Sequence, residues 1–386
     1  VPTELLAPAG NREKMQVACR FGADAVYVGG KVFGLRKYAD NFTDPELADA
    51  VSWVHGLGKK IYVVLNGFAH DDDLRDLQPH LAFLNQIQPD AVIVSDWAVA
   101  DQVLTRTTIP LHVSTQASVC HWRGVQRWVD RGAKRVILGR EVSLADCQDI
   151  QDRVPTELEV FIHGAMCASY SGKCVISNYS AGRDANRGGC VQSCRHLYHL
   201  ESGGQQDTRY MMNAKDLMAV QWLQAGMAMG LASFKIEGRM KSAWYVANAT
   251  KVYREAMDTI DAAQGAPIDS EQLGRWETQL QQVSNRTFSG GGFATLQDGL
   301  NQVDGGYQSA GSFVGTVIQC HDDRSAIDCR VPVSPGDTLS VLTPNGVVPL
   351  HVTSLWDVNH RPVTQLGPGA LGWVPGRWGV GDVLIR

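Results

Sequence analysis

The sequence predicts an α/β protein built as a TIM-type (β/α)8 barrel, with a cysteine-rich insertion after the seventh strand and a small β-barrel at the C-terminal end. Three observations predict this. Short β-branched runs alternate with amphipathic stretches over the first two thirds of the chain. Those runs are apolar throughout, as strands of a parallel sheet covered on both faces must be. Beyond residue 300 the pattern changes to closely spaced strands and turns.

Strands are expected at residues 4–7, 25–28, 60–65, 91–94, 111–114, 135–138, 157–162 and 233–236. Amphipathic segments lie between them, among others at 12–21, 44–57, 74–87 and 124–131. The stretch FGADAVYVGG shows the grammar: a helix end, Gly22, the loop residue Asp24, then a buried strand closing in glycines. Eight apolar strands with helical crossovers point first to a closed barrel and second to a doubly wound sheet. Most strands follow one another at intervals of roughly 20 to 36 residues, but the seventh and eighth are roughly 75 apart. A long helix is expected at 242–262 and another at 267–283. Glycine-rich stretches at 289–293 and 304–312 then lead into the tail, where Asn345-Gly346 signals a hairpin. The division is therefore a barrel domain over 1–300, including a cysteine-rich loop at 164–230, and a β-rich domain over 301–386.

Composition excludes several classes. No run approaches the roughly 18 apolar residues of a membrane span. The opening residues carry no charged stretch followed by an apolar one, so no secretion leader is expected. A net charge of −5 argues against non-specific nucleic-acid binding but leaves room for a local basic face. Nine cysteines, an odd number, read as reduced thiols of a cytoplasmic protein rather than a disulfide framework. There is no H-E-x-x-H and no G-x-S-x-G to support a peptidase. His70 with Asp71, Asp72 and Asp73 reads as a loop and helix cap.

Four of the cysteines, Cys167, Cys174, Cys190 and Cys194, fall within 28 residues with spacing C-x6-C-x15-C-x3-C. Structural zinc sites ordinarily contain a tight C-x2-C knuckle, which is missing here. Four thiolates can instead hold an iron–sulfur cluster, whose loops tolerate irregular spacing. Gly172, Gly182, Gly188 and Gly189 permit close wrapping, and Ser171, Ser177 and Ser180 can hydrogen-bond to sulfur. Spacing alone leaves cluster, zinc and inert thiols open. Lys173, Arg183, Arg187 and Arg195 against Asp184 give the segment a net charge of +3. These cations either solvate a loop, or balance anionic sulfur and attract phosphate or carboxylate.

The segment follows the seventh strand, so in a barrel it lies on the C-terminal face where active sites are built. Other polar residues stand at strand ends on the same face: Asn66, Ser114, Gln116, Arg140, Glu141, His163, Lys235, Glu237 and Arg239. Taken singly, such residues are commonly local salt bridges or satisfied core groups. Together they exceed what packing requires, because buried charges are costly unless paired or used. Arg140, Lys235 and Arg239 are expected to grip a dicarboxylate or an RNA phosphate. His163 is expected to titrate near neutrality and to move a proton. In the tail, Trp373, Arg377 and Trp378 either stack on bases or fill a small core, and the core is favoured.

The segment EVFIHGAMCASYSGKCVIS resembles the signature of the collagenase-like peptidase U-32 family. ELLAPAG, GADAVYVGG, LHVSTQA, RVILGRE and SFKIEGRMKS resemble its other blocks, in the same order. The resemblance is strong from residue 4 to about 260 and weaker in the tail. It implies oxygen-independent hydroxylation rather than proteolysis. One branch forms 5-hydroxyuridine at the wobble position of tRNA, with prephenate tied to the reaction; sister branches hydroxylate a cytidine of ribosomal RNA or a ubiquinone precursor. A single β-rich tail fits the tRNA branch, although the segment 201–209 is shorter than in longer relatives. The resemblance also implies a [4Fe–4S] cluster on Cys167, Cys174, Cys190 and Cys194, making the insertion after strand seven an iron–sulfur insertion. The expected catalytic set is then His163, Arg140, Glu141, Lys235, Glu237 and Arg239. The expected substrate-binding set is Asn66, Ser114, Gln116, Lys173, Arg183, Arg187 and Arg195. The partners implied are tRNA, a small dicarboxylate co-substrate and an electron donor that the sequence does not identify.

Overall fold

Parallel pairing begins at the N-terminal end of the chain and continues stave by stave. In the computed structural model, residues 2–31, 34, 40–295 and 299–386 are described. Strands β1 (Glu4–Pro8), β2 (Ala25–Gly29), β3 (Lys60–Leu65), β4 (Ala91–Val94), β5 (Leu111–Val113), β6 (Arg135–Ile137) and β7 (Glu157–Ala165) pair in sequence order. Their registers include Leu6 with Ala25, Val26 with Ile61 and Val63 with Val92. Between them run α1 (Arg12–Arg20), α2 (Asp44–Gly56), α3 (Asp71–Ile87), α4 (Trp97–Arg106), α5 (Trp122–Val129) and α6 (Leu144–Arg153). Helix starts are capped by side chains: Asn11 accepts from Lys14 N, Asp96 from Ala98 N and Ser143 from Asp146 N. Helix α3 starts three residues before the sequence expectation. The Asp73 carboxylate accepts from His70 N at 2.8 Å, so the acidic run forms its first turn.

After β7 the chain makes its insertion. It contains the short helix α7 (Ile176–Ala181), an exposed hairpin of β8 (Tyr198–Ser202) and β9 (Gln205–Arg209), β10 (Asp216–Met218) and α8 (Leu223–Ala228). Strand β10 runs antiparallel to the extended end of β7, with Leu217 opposite Gly164. The chain then re-enters the barrel as β11 (Ser233–Ile236), which pairs with both β7 and β1 and closes the eight-stranded ring. Helix α9 (Ala243–Ala262) packs against α1 and β1, and α10 (Ser270–Leu280) packs on α9. A short strand, β12 (Phe288–Ser289), extends the sheet by pairing with β10.

The barrel interior is polar at its centre. Arg135 Nη1 lies 2.7 Å from Glu4 Oε1 and 3.1 Å from Glu159 Oε2, and Lys235 Nζ lies 2.9 Å from Glu159 Oε1. Tyr62 Oη donates to Glu4 Oε2 at 2.7 Å. Burial alone would raise the Glu4 carboxyl, but Arg135 and the hydrogen bonds outweigh it and hold it below the usual carboxylate range.

The tail is a separate antiparallel β-barrel. Strands β13 (Phe313–His321), β14 (Arg324–Cys329), β15 (Thr338–Thr343), β16 (Gly346–His351), β17 (Leu355–Asp357), β18 (Pro362–Val363), β19 (Leu371–Pro375) and β20 (Val383–Ile385) form one sheet in the order β16-β15-β20-β13-β14-β19-β17-β18. Its core is its own, built on Val314, Ile327, Val341 and Val374. The tail docks on α1 through Arg20 and Asp382, 2.6 Å apart, and through Arg330 and Glu13 at 3.0 Å. No helix among the described residues is long and apolar enough to cross a membrane.

Removing one partner from a buried ion pair costs about 3–5 kcal/mol. Arg135→Leu is therefore expected to lower the urea midpoint by an amount equivalent to that loss. A change below about 1 kcal/mol, the scale of an exposed pair, would show that the network does not hold the barrel.

Candidate active site at the barrel mouth

The cysteine segment is seated on the rim by contacts from neighbouring βα loops. Glu141, just after β6, accepts from Ser171 N at 2.8 Å and from Ser171 Oγ at 3.2 Å. Ser118 donates to the Ser171 carbonyl, and Arg140 N donates to Ser171 Oγ at 3.2 Å. Gly172 has φ +76°, and a Cβ there would stand 2.1 Å from the Gln116 carbonyl oxygen. Only glycine lets the loop lie this close to the β5 rim. On the far side Arg187 pairs with Asp73 at the start of α3 and donates to the Phe68 carbonyl at 3.0 Å. Arg195 donates to Asn213 Oδ1 at 2.8 Å and to the carbonyls of Met166 and Ala214.

Two cavities meet at the thiols. The first, about 130 Å3, opens at the barrel mouth; Cys167, Cys174, Cys190 and Cys194 all line it, above Lys235, Asn66 and Ser114. The second, about 490 Å3, lies beside it and shares Cys167, Cys190, Cys194, Arg140 and Glu237 with the first. All four cysteines are free thiols. Burial pushes the Cys194 thiol up, and the other three sulfurs act on it in the same direction, against Arg195. Among the described residues no three His, Cys, Asp or Glu side chains are gathered closely enough to hold a metal ion. Four thiolates on one space are a donor set that either a multi-iron cluster or a zinc ion could take.

Of the expected catalytic set, Arg140, Lys235, Glu237 and Arg239 line the mouth cavity. Lys235 is buried, and its ammonium also faces the Tyr27 ring at 4.5 Å and the Phe161 ring at 5.5 Å. Burial pushes it below the ordinary lysine range, while Glu159 pulls the other way. Arg140 stacks on Phe161 at 4.3 Å and reaches Cys167 Sγ at 3.9 Å. Glu141 is turned to Ser171 and to the Cys120 thiol at 3.8 Å, so it clamps the loop. His163 departs from expectation. It is fully buried among Tyr245, Tyr253 and Phe288, and it lines neither cavity. Burial, with Lys241 nearby, pushes its pKa down to about 3, so it does not titrate near neutrality.

Of the expected substrate-binding set, Asn66, Ser114 and Gln116 line the mouth, and Asn66 Nδ2 donates to Ser114 Oγ at 3.1 Å. Lys173 is exposed on the loop, Arg183 is half-buried there and lines neither cavity, and Arg187 and Arg195 are engaged in seating the insertion. In the tail Trp373 is buried with His360 stacked on it at 4.6 Å, and Trp378 packs against the tail core. Sequence reading missed Lys241, Arg286 and Tyr307, which line the second cavity. Lys241 lies inside the SFKIEGRMKS block and was within reach; Arg286 and Tyr307 stand in stretches with no periodic signal.

A family profile described as Peptidase family U32 matches residues 10–302. The chain belongs to that family. It is 38% identical over 337 residues to the tRNA hydroxylation protein P1 of Bacillus subtilis, covering 84% of this chain and 79% of that one. It is 32% identical over 432 aligned positions to the tRNA hydroxylation protein P of Escherichia coli, covering 96% and 93%. It is 35% identical over 351 residues to the 23S rRNA 5-hydroxycytidine C2501 synthase of Escherichia coli, covering 89% of this chain but 53% of that one.

Two outcomes are expected from this geometry. Gly172→Ala should speed proteolytic cleavage within residues 167–196 while leaving the global unfolding midpoint nearly unchanged; equal cleavage would mean the loop is not held by its approach to Gln116. His163 binds its proton in the unfolded chain near pH 6.5 but in the fold only near pH 3. Stability should therefore fall as pH drops below about 6.5, by up to about 1.4 kcal/mol per pH unit. His163→Leu should flatten that acid limb in urea titrations, and an unaltered slope would assign it elsewhere.

Proposed function

We propose that this U32 family member hydroxylates tRNA without molecular oxygen, forming 5-hydroxyuridine at the wobble position. In this reading Cys167, Cys174, Cys190 and Cys194 hold a [4Fe–4S] cluster, and a dicarboxylate such as prephenate is the hydroxyl source. The observation that carries the reading is the meeting of four free thiols and a set of strand-end polar groups on one cavity. Similarity to named tRNA hydroxylation proteins over nearly the whole chain supports the choice of tRNA. When bound, such a cluster supplies one-electron chemistry beside the cavity.

The chain's own residues do the rest. The mouth cavity, about 130 Å3, is on the scale of a single ring, as an extruded base requires. Asn66 and Ser114 offer hydrogen bonds to the edge of such a ring. Lys235, fixed by Glu159, presents an ammonium from the floor. Arg140 stands between the thiols and the ring site, where it balances negative charge on sulfur. Lys173, exposed on the rim, suits the RNA backbone. Among the described residues no histidine lines either cavity. Hydroxylation of ribosomal RNA is the second reading, favoured only by the similarity to the 23S rRNA enzyme.

The test is nucleoside mass spectrometry of tRNA and rRNA from a strain lacking the gene, complemented with the native gene or with Cys174→Ala. The expected outcome is loss of 5-hydroxyuridine-derived nucleosides from tRNA, restored by the native gene alone. Unchanged tRNA together with altered rRNA would transfer the assignment to rRNA. No change in either would remove RNA hydroxylation altogether.

A further inference from the structure

The larger, lateral cavity has been given no occupant. It borders the thiols and is closed by Lys241 from the turn after β11, by Ser284 and Arg286 ahead of β12, and by Tyr307 from the stretch leading to the tail. Among the described residues four cations line it, Arg140, Arg195, Lys241 and Arg286, against one carboxylate, Glu237. Arg195 is committed to the carbonyls of Met166 and Ala214. Arg286 is buried; its guanidinium pairs with Asp216 at 3.3 Å and donates to Gln192 Oε1 at 3.2 Å. Lys241 donates to the Ser284 carbonyl at 2.9 Å and pairs with no carboxylate among the described residues. Lys241 Nζ and Arg286 Cζ each lie 4.1 Å from the Tyr307 ring. Burial pushes Lys241 down; Asp216 and Glu237 pull it up, and Arg286 and Arg195 push it down again. Asp216 and Glu237 offset part of this positive charge, and an entering anion would offset the rest.

We propose that the lateral cavity binds a small organic dicarboxylate, gripped by Lys241 and Arg286, with Arg140 on the side of the thiols and Tyr307 as the wall. The assignment rests on the hydroxylase reading, which requires a hydroxyl donor beside the thiols, and it adds where that donor sits. Because Cys167, Cys190, Cys194, Arg140 and Glu237 border both cavities, a base at the barrel mouth and a dicarboxylate in the lateral cavity flank the same sulfurs. Both reactants are then held at once, each by its own residues. A cavity of about 490 Å3 accommodates a ring-bearing dicarboxylate, and the partly exposed Tyr307 offers a face for that ring.

The probes are prephenate and inorganic phosphate, titrated calorimetrically into the cluster-loaded full-length protein without RNA. Prephenate should bind the native protein more tightly than phosphate. Lys241→Gln, which keeps a donor for the Ser284 carbonyl, should weaken prephenate by about ten- to a hundredfold, the value of one charge-assisted hydrogen bond. Arg286→Gln strips Asp216 of its partner and risks the fold, so Tyr307→Ala, at a half-exposed position, is the second variant and should also weaken binding. Absence of prephenate binding, or unchanged affinity in both Lys241→Gln and Tyr307→Ala, would overturn the assignment. So would tighter binding of phosphate, which would mark the cavity as a seat for the RNA backbone. Parallel tRNA modification assays separate the two claims: modification by Lys241→Gln with an unaltered KM for prephenate sinks this site and leaves the hydroxylase reading intact, whereas native protein that binds prephenate but modifies no tRNA sinks that reading alone.

Discussion

Glu4, Arg135, Glu159 and Lys235 form a chain of alternating charge through the middle of the barrel. They come from β1, β6, β7 and β11, so the chain bridges the seam where β11 closes the ring between β7 and β1. Charges in such a place are a burden: an aliphatic interior of the same volume would generally be as stable or more so. Each is tolerated because its neighbour neutralises it and because Tyr62, Ser233 and Lys60 satisfy the remaining oxygens of Glu4. What the arrangement achieves is position. Lys235 cannot swing away from Glu159 without leaving a buried carboxylate half-paired, so its ammonium is fixed beneath the mouth cavity. The floor of the site is thus part of the element that closes the fold.

The insertion shows the opposite solution. It has little regular structure, and its hydrogen bonds run to the rim from side chains and carbonyls instead of along a ladder. Three charged residues that sequence suggests for catalysis or substrate binding, Glu141, Arg187 and Arg195, are used for seating. This division has a physical basis. The loop that carries the four thiols is fixed from outside, by the contacts of Glu141, Arg187 and Arg195 with neighbouring loops. Arg140 is left facing sulfur because the seating work is done by its neighbours.

The barrel was legible to within a residue or two at most strands because buried parallel strands are apolar on both faces, and that signal is local. The same logic located the cysteine segment on the mouth, since the over-long connection from the seventh strand to the eighth could only emerge there. Strand-end residues Asn66, Ser114, Gln116, Lys235 and Glu237 follow from register alone. Where a side chain turns does not. His163 lies on the strand that leads to the cysteines, yet its ring faces the aromatic packing around Tyr245 and Tyr253. Glycine at 164, with φ +105°, bends the strand just past it. The exposed hairpin at 198–209 was also illegible, because strands with no buried face carry no apolar pattern.

The lateral cavity was hidden for a different reason. Its walls come from segments far apart in sequence, brought together by pairings too short to show as elements: β12 on β10, Asn285 with Gln308, and Ala214 with Leu300. These pairings fold the connection between barrel and tail back onto the insertion. The tail itself is anchored to α1 by Arg20 and Asp382, with Ser312 hydrogen-bonded to Arg386 where the connection enters the tail. Anchoring both ends of the connection fixes Tyr307 against Lys241 and Arg286.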